Sequence, residues 1–158
     1  MKKMLMIAAL VIGFAGITSA QVDGKAIGLR FGGLTGYGAE ISYQHPLGSS
    51  NRLEADLGWN YYGIGLVGVY QWVWDLSALA DGFNWYAGIG GGLGLYDYAY
   101  AGGTRSNAFN LGLAGQVGIE YNFNIPIQLS LDYRPVIYLF SGSHFVSDGV
   151  ALGVRYKF

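Results

Sequence analysis

The 158-residue chain contains no cysteine. Disulfides, thiolate metal sites and the lipid-modified cysteine of a lipoprotein are therefore excluded. Charge is scarce as well. Asp, Glu, Lys and Arg make up 12% of the residues, against about 25% in ordinary soluble domains. The net charge is −1, and becomes −3 if Lys2 and Lys3 are removed with an N-terminal leader. Neither value gives the basic footprint of a nucleic-acid binder or a strongly acidic tail. Beyond residue 20 no apolar run approaches the roughly 20 residues that a membrane-spanning helix needs. If the mature chain crosses a bilayer, it does so with strands closed into a barrel.

What the chain has in quantity is glycine (27 residues) and aromatics, with 13 Tyr, 8 Phe and 4 Trp. Many rings and few charges point to an apolar solvent, and the length suits one domain. At the N-terminus, Lys2 and Lys3 precede an apolar stretch from Met4 to Ile17 and the small residues Thr18-Ser19-Ala20. This is the pattern of a cleaved signal peptide, and the stretch is short for a membrane anchor. The expected organisation is a signal peptide at 1–20 and a single barrel domain at 21–158.

After Gln21 the dominant period is two, the period of strands. Eight strands are expected, near Gly24–Gly33, Tyr37–Leu47, Arg52–Tyr61, Gly65–Asp75, Trp85–Tyr98, Ala108–Phe123, Ile127–Phe140 and Gly149–Phe158. In the third, Leu53, Ala55, Leu57 and Trp59 alternate with Glu54, Asp56, Gly58 and Asn60; in the fifth, Ala87, Ile89, Leu93 and Leu95 alternate with Gly88, Gly90, Gly92 and Gly94. The fourth is apolar on both faces, and Trp72 and Trp74 are expected to point outward. Segments rich in Gly, Asn, Ser and Pro connect the strands, among them 45–51, 76–84, 99–107 and 141–148. Strands of roughly ten residues match the spanning length of a strand tilted near 45°. The fold class expected is all-β, an eight-stranded antiparallel up-and-down transmembrane β-barrel. An even strand count leaves both termini on the periplasmic side.

The choice of solvent rests on which face is outside. An exterior of Gly, Ser and scattered charges around rows of Leu, Phe, Tyr and Trp would demand more interior volume than eight strands enclose. The inverted arrangement fits both faces, with small and polar residues in a narrow lumen and bulky ones toward lipid. The inward ionisable residues are then Arg30, Glu40, Glu54, Asp56, Glu120, Asp132, Arg134 and Arg155. They are expected to pair across the lumen, since an unpaired buried ion is strongly unfavourable. The alternative is a narrow porin-like channel whose charges select ions or small solutes. Aromatics collect at the strand ends, where amphipathic rings prefer the headgroup level. Tyr43, Trp74, Trp85, Tyr121, Phe123, Tyr156 and Phe158 form one expected girdle. Phe31, Tyr37, Trp59, Tyr61, Tyr96, Tyr98, Tyr138 and Phe140 form the other.

The chain ends in Gly153-Val154-Arg155-Tyr156-Lys157-Phe158. In this final strand and in the strand rhythm of the mature part, the sequence resembles the small Gram-negative outer-membrane barrel proteins, the group that includes opacity-type, X-type and OmpA-like barrels. The resemblance implies residence in the cell outer membrane, contact with its lipids, and a monomer. It also implies transient reading of Gly153, Tyr156 and Phe158 by the barrel-assembly machinery. Ala151 departs from the polar residue often found two before that glycine.

Other motifs carry less. Gly88, Gly90, Gly92 and Gly94 lie inside a strand, whereas a phosphate loop needs a Gly-rich turn opening a helix. Glycines on one strand face instead let neighbouring rings fold over them. Arg134-Pro135 is expected to mark a bulge or bend. His144, with Ser143, Ser147 and Asp148 in the last loop, is the only basis for a lipid-modifying enzyme, and none of the ordered motifs of such enzymes is visible. His45 is expected in a turn before Pro46, with no second histidine near enough in sequence to suggest a metal site. No cofactor and no nucleic-acid partner are expected. The reading that results is a non-enzymatic barrel with a structural or surface-interaction role, its short outer loops arguing against a large receptor.

Overall fold

Alternating small or polar with bulky apolar residues gives a segment two unlike faces, and a pleated strand keeps those faces apart. In the computed structural model the described residues are 22, 24–32, 38–60, 63–99, 105–139, 144–146 and 149–158, without the side chains of 60, 96–99, 105–108 and 144–146. The expected signal peptide and Gln21 lie outside them. The strand segments are β1 (Ala26–Gly32), β2 (Ala39–Pro46), β3 (Asn51–Asn60), β4 (Gly63–Asp75), β5 (Phe83–Ala99), β6 (Arg105–Asn122), β7 (Ile127–Tyr133), β8 (Val136–Tyr138), β9 (His144–Val146) and β10 (Val150–Lys157). They build eight staves of a closed antiparallel barrel. β7 and β8 are one interrupted stave, and β9 and β10 are another.

Each stave pairs with the next, and the barrel closes where β1 pairs with β10, from Ala26↔Lys157 to Gly32↔Ala151. A path along the ladders from Arg155 runs through Gly28, Ser42, Asp56, Val67, Gly92, Gly112 and Tyr138. It returns to the last stave at His144, well along the stave from its start. That offset is the shear that forces the staves to tilt.

Two expected segments differ in detail. The seventh strand is not continuous from Ile127 to Phe140, because Pro135 has no N–H to give the ladder. On the β6 side the register survives the break, as Val117↔Tyr133 and Ala114↔Val136 show, with Gly115 N donating to the Pro135 carbonyl at 3.1 Å. On the other side it slips by one residue between Tyr133↔Val150 and Val136↔Val146. This is a bulge. The expected loop at 99–107 is strand at both of its ends, since the β5–β6 ladder takes in Asn107 and Ser106 and continues to Ala99↔Arg105, past the last β4 pair at Gly63↔Tyr96; residues 100–104 lie outside the described ones. His45 and Pro46 close β2 instead of forming a turn, and the backbone of His144 lies in β9 instead of a loop.

Burial is inverted relative to a water-soluble barrel. Arg30 and Glu54 are 0% exposed, whereas Ile89 is 64% and Leu113 59% exposed. On β4 the inward residues are Val67, Val69, Gln71 and Val73, while Trp72 is exposed and Trp74 half-buried on the outer face. Outer-face rings meet at the end that carries the termini. Trp74 stacks on Trp85 at 4.2 Å, and Tyr121 lies 4.8 Å from Phe83 and 4.6 Å from Phe123. Tyr138 corrects the girdle expectation. It has the parity of Asp132 and Arg134 and is buried inside against Val67, Val69, Ala114 and Val136. Gly112 opposite leaves room for its ring. Tyr37, Tyr61 and Phe140, with the side chains of Tyr96 and Tyr98, lie outside the described residues.

Candidate functional site: the ionic lumen

The inward face of every stave delivers a short polar group or a long charged one, and shear decides which of them meet. Near β1, the Arg30 guanidinium donates to Glu40 at 2.9 Å and to Asp132 at 2.5 Å, joining β1 to its neighbour β2 and to β7, two staves away. Arg134 donates to both Glu40 oxygens, at 2.8 and 2.6 Å, and to Asp56. Arg155 reaches across the lumen, donating to Ser42 at 2.9 Å, Ser130 at 2.7 Å and Glu54 at 3.0 Å. Glu54 also accepts from Gln44 at 2.6 Å and Gln116 at 2.9 Å.

All eight ionisable residues singled out from sequence are buried in the lumen. A ninth, Arg52, was missed. It donates to Glu120 at 2.6 Å and Gln71 at 2.5 Å, and its guanidinium lies 4.9 Å over the Tyr86 ring. Tyr86 in turn donates to Asp132 at 3.3 Å, and Gln71 donates to Gln116 at 2.8 Å. These contacts connect the Arg30 and Arg52 ends of the network. The parity of Arg52 with Glu54 and Asp56 was the available signal, obscured by its position beside the Ser49-Ser50-Asn51 turn.

Tyr86 depends on a glycine. Gly118 stands directly opposite it, and a Cβ there would lie 2.6 Å from the ring carbon Cζ and 2.7 Å from Asp132 Cβ. Gly118→Val is therefore expected to destabilise the barrel by about 1–3 kcal/mol through overpacking. Urea refolding into detergent micelles measures it, and Tyr86→Phe, which keeps the ring, is not expected to relieve the clash.

Among the described residues the lumen carries both signs, with guanidiniums interleaved among carboxylates. At the end bearing the termini, a cavity of about 30 Å³ is lined by Gln44, Arg52, Asn84, Glu120, Gln128 and Lys157 among others. It has room for about one water. Among the described residues no group of His, Cys, Asp and Glu is placed to hold a metal. A single-sign ring of the kind that selects ions is not what these contacts form.

Of the C-terminal residues, Gly153 faces inward, while Tyr156 and Phe158 lie exposed on the outer wall. Phe158 is tied to the first stave by its N–H to the Lys25 carbonyl at 2.8 Å, with Lys25 N–H returned to Phe158 at 3.0 Å.

Among solved structures the chain is similar to Neisserial surface protein A, at 18% identity and a TM-score of 0.57, covering 85% of this chain and 94% of that one. The fold is that of a small outer-membrane barrel. A second structure of this fold is the Yersinia pestis outer membrane protein Ail in a phospholipid bilayer nanodisc, at 13% identity and a TM-score of 0.50, covering 86% of this chain and all of that one. No family model and no curated protein matches the sequence. The outer-membrane barrel fold agrees with the exposed apolar wall and the buried ions found independently above.

Proposed function

We propose that the chain is an integral barrel of the Gram-negative outer membrane, non-enzymatic, with a structural or surface-interaction role and a lumen closed by its own side chains. The observation that carries this reading is the inversion of burial: charged and amide side chains fill the inside, while Leu, Ile, Val and Trp cover the outside. Only a hydrocarbon solvent makes that arrangement favourable. On this reading residues 1–20 direct export, the barrel-assembly machinery reads Gly153, Tyr156 and Phe158, and the mature protein sits as a monomer among outer-membrane lipids.

Membrane fractionation combined with heat-modifiable gel migration tests the placement, and recovery in a detergent-free periplasmic extract would defeat it. Planar-bilayer recording tests the closed lumen. No stable conductance is expected from the purified protein, and steady ohmic steps would replace this reading with a narrow channel.

A further inference from the structure

At the end bearing the termini, the apolar outer wall carries two basic side chains side by side. One residue beyond the Ala26↔Gln44 pair, Lys25 and His45 come opposite each other, with the outward parity of Ile27 and Tyr43. The chain ahead of β1 keeps alongside β2 here, since the Val22 N–H donates to the Ser49 carbonyl at 2.8 Å. Side chains directly opposite on one face stand about 5 Å apart at Cβ. Lys25 is exposed and His45 half-buried. Their outward neighbours are Tyr156 and Phe158 on one side and Leu53 on the other. Rings of this kind gather at the headgroup level.

Other polar groups on this stretch answer one another. Asn51 donates to the Tyr70 hydroxyl at 2.7 Å, and the Tyr43 hydroxyl lies 3.4 Å from His45 Nδ1. With that hydroxyl donating to Nδ1, the imidazole proton is on Nε2. Among the described residues neither Nε2 nor the Lys25 ammonium has a partner. The outward side chains of β1, β2, β3 and β10 include no carboxylate, and the Phe158 carboxyl group makes no ion pair with Lys25. Asp23 lies outside the described residues. An ammonium at the edge of hydrocarbon is unfavourable without an anion. The anion that a leaflet offers at this depth is a lipid phosphate.

We propose that Lys25 and His45 together bind the phosphodiester of an anionic phospholipid from the leaflet on the side of the termini, Lys25 through its ammonium and His45 through its Nε2–H. The inference rests on the membrane reading above. Charge complementarity selects the ligand. An anionic headgroup neutralises Lys25, whereas an ethanolamine headgroup brings an ammonium of its own that competes for the same phosphate.

The test is native mass spectrometry of the full protein released from vesicles of phosphatidylglycerol and phosphatidylethanolamine in equal amounts. The wild type is expected to retain one phosphatidylglycerol under activation that strips the other lipids. Lys25→Gln is expected to lower the bound fraction roughly fivefold. His45→Leu is expected to lower it as well, and Lys25→Arg to keep it. Lys157→Gln removes the same charge from the lumen mouth instead of the outer wall, and is expected to leave retention unchanged. Equal retention of both lipids by the wild type overturns the proposal, as does a Lys25→Gln protein that retains as much as the wild type, or a Lys157→Gln protein that loses as much as Lys25→Gln. Displacement of the lipid by millimolar glycerol 3-phosphate would assign the site to a soluble phosphate and overturn the lipid assignment. Heat-modifiable migration of each variant separates these outcomes from failure of the barrel itself. A wild type that never enters vesicles defeats the membrane reading instead.

Discussion

Replacing Arg30 with leucine is expected to cost the barrel about 3–5 kcal/mol, the penalty for removing one member of a buried ion pair. The guanidinium is wholly buried between Glu40 and Asp132. Glu40 would keep Arg134, but Asp132 would be left with only the long hydrogen bond from Tyr86 at 3.3 Å. The loss therefore centres on Asp132, and this makes a second variant informative. Arg30→Leu combined with Asp132→Leu removes both charges and is expected to recover most of the stability, since apolar replacement of a buried pair is often neutral or favourable. Equilibrium urea unfolding from lipid vesicles measures both proteins. A single variant as stable as the wild type would show that water reaches the lumen and solvates Asp132.

Leu113→Arg is expected to destabilise the protein in bilayers by about 2–4 kcal/mol, the range for a charge on the lipid face near the bilayer midplane. Leu113 pairs with Gly91 and Ile137 in the middle of the wall and is 59% exposed. The sign of the effect is decisive. On a water-facing surface the same change would fall within about ±0.5 kcal/mol. Refolding yield into vesicles, followed by a urea titration, reads the difference. A neutral result would remove the basis for placing this wall in hydrocarbon.

How much could be read from the sequence alone follows from which physical signals are local. Face assignment is local, because a period of two needs only neighbouring residues. Ile27, Leu29 and Phe31 were separable from Gly28 and Arg30 by alternation alone, and the structure exposes the first set while it buries Arg30 and leaves Gly28 half-buried. Even the ambiguous β4 followed parity, with Val69 and Val73 inside and Trp72 outside. Parity also contained the answers for Arg52 and Tyr138. Arg52 opens its strand beside turn residues and Tyr138 is a ring near a strand end, and each of those local features competes with parity.

Partner choice is not local. That Arg30 meets Asp132 depends on β1, β10 and β7 lying side by side with a particular stagger, and no window of sequence contains that information. The one-residue slip opposite Pro135 is similar: the proline announces a disturbance, while its form depends on the facing stave. The length of the β5–β6 hairpin was hidden for another reason. Tyr, Asp, Ala and Ser at 96–108 suit loops and solvent-exposed strands alike, so composition did not show where pairing ends.

The arginines of the two closing strands each reach beyond the neighbour they are paired with. From β1, Arg30 passes β10 to reach β7, and from β10, Arg155 passes β1 to reach β2 and β3. The joint between the first and last strands is thus crossed from both sides, like a strap buckled over a seam. A chain that has laid down its first seven strands holds Glu54 without its guanidinium, and Arg30 faces Asp132 across an open gap. Glu54 and Asp132 gain their guanidiniums only when the final strand swings in, so completion of the cylinder and formation of the Arg155–Glu54 and Arg30–Asp132 pairs are the same event, and a barrel ajar at this seam is penalised twice.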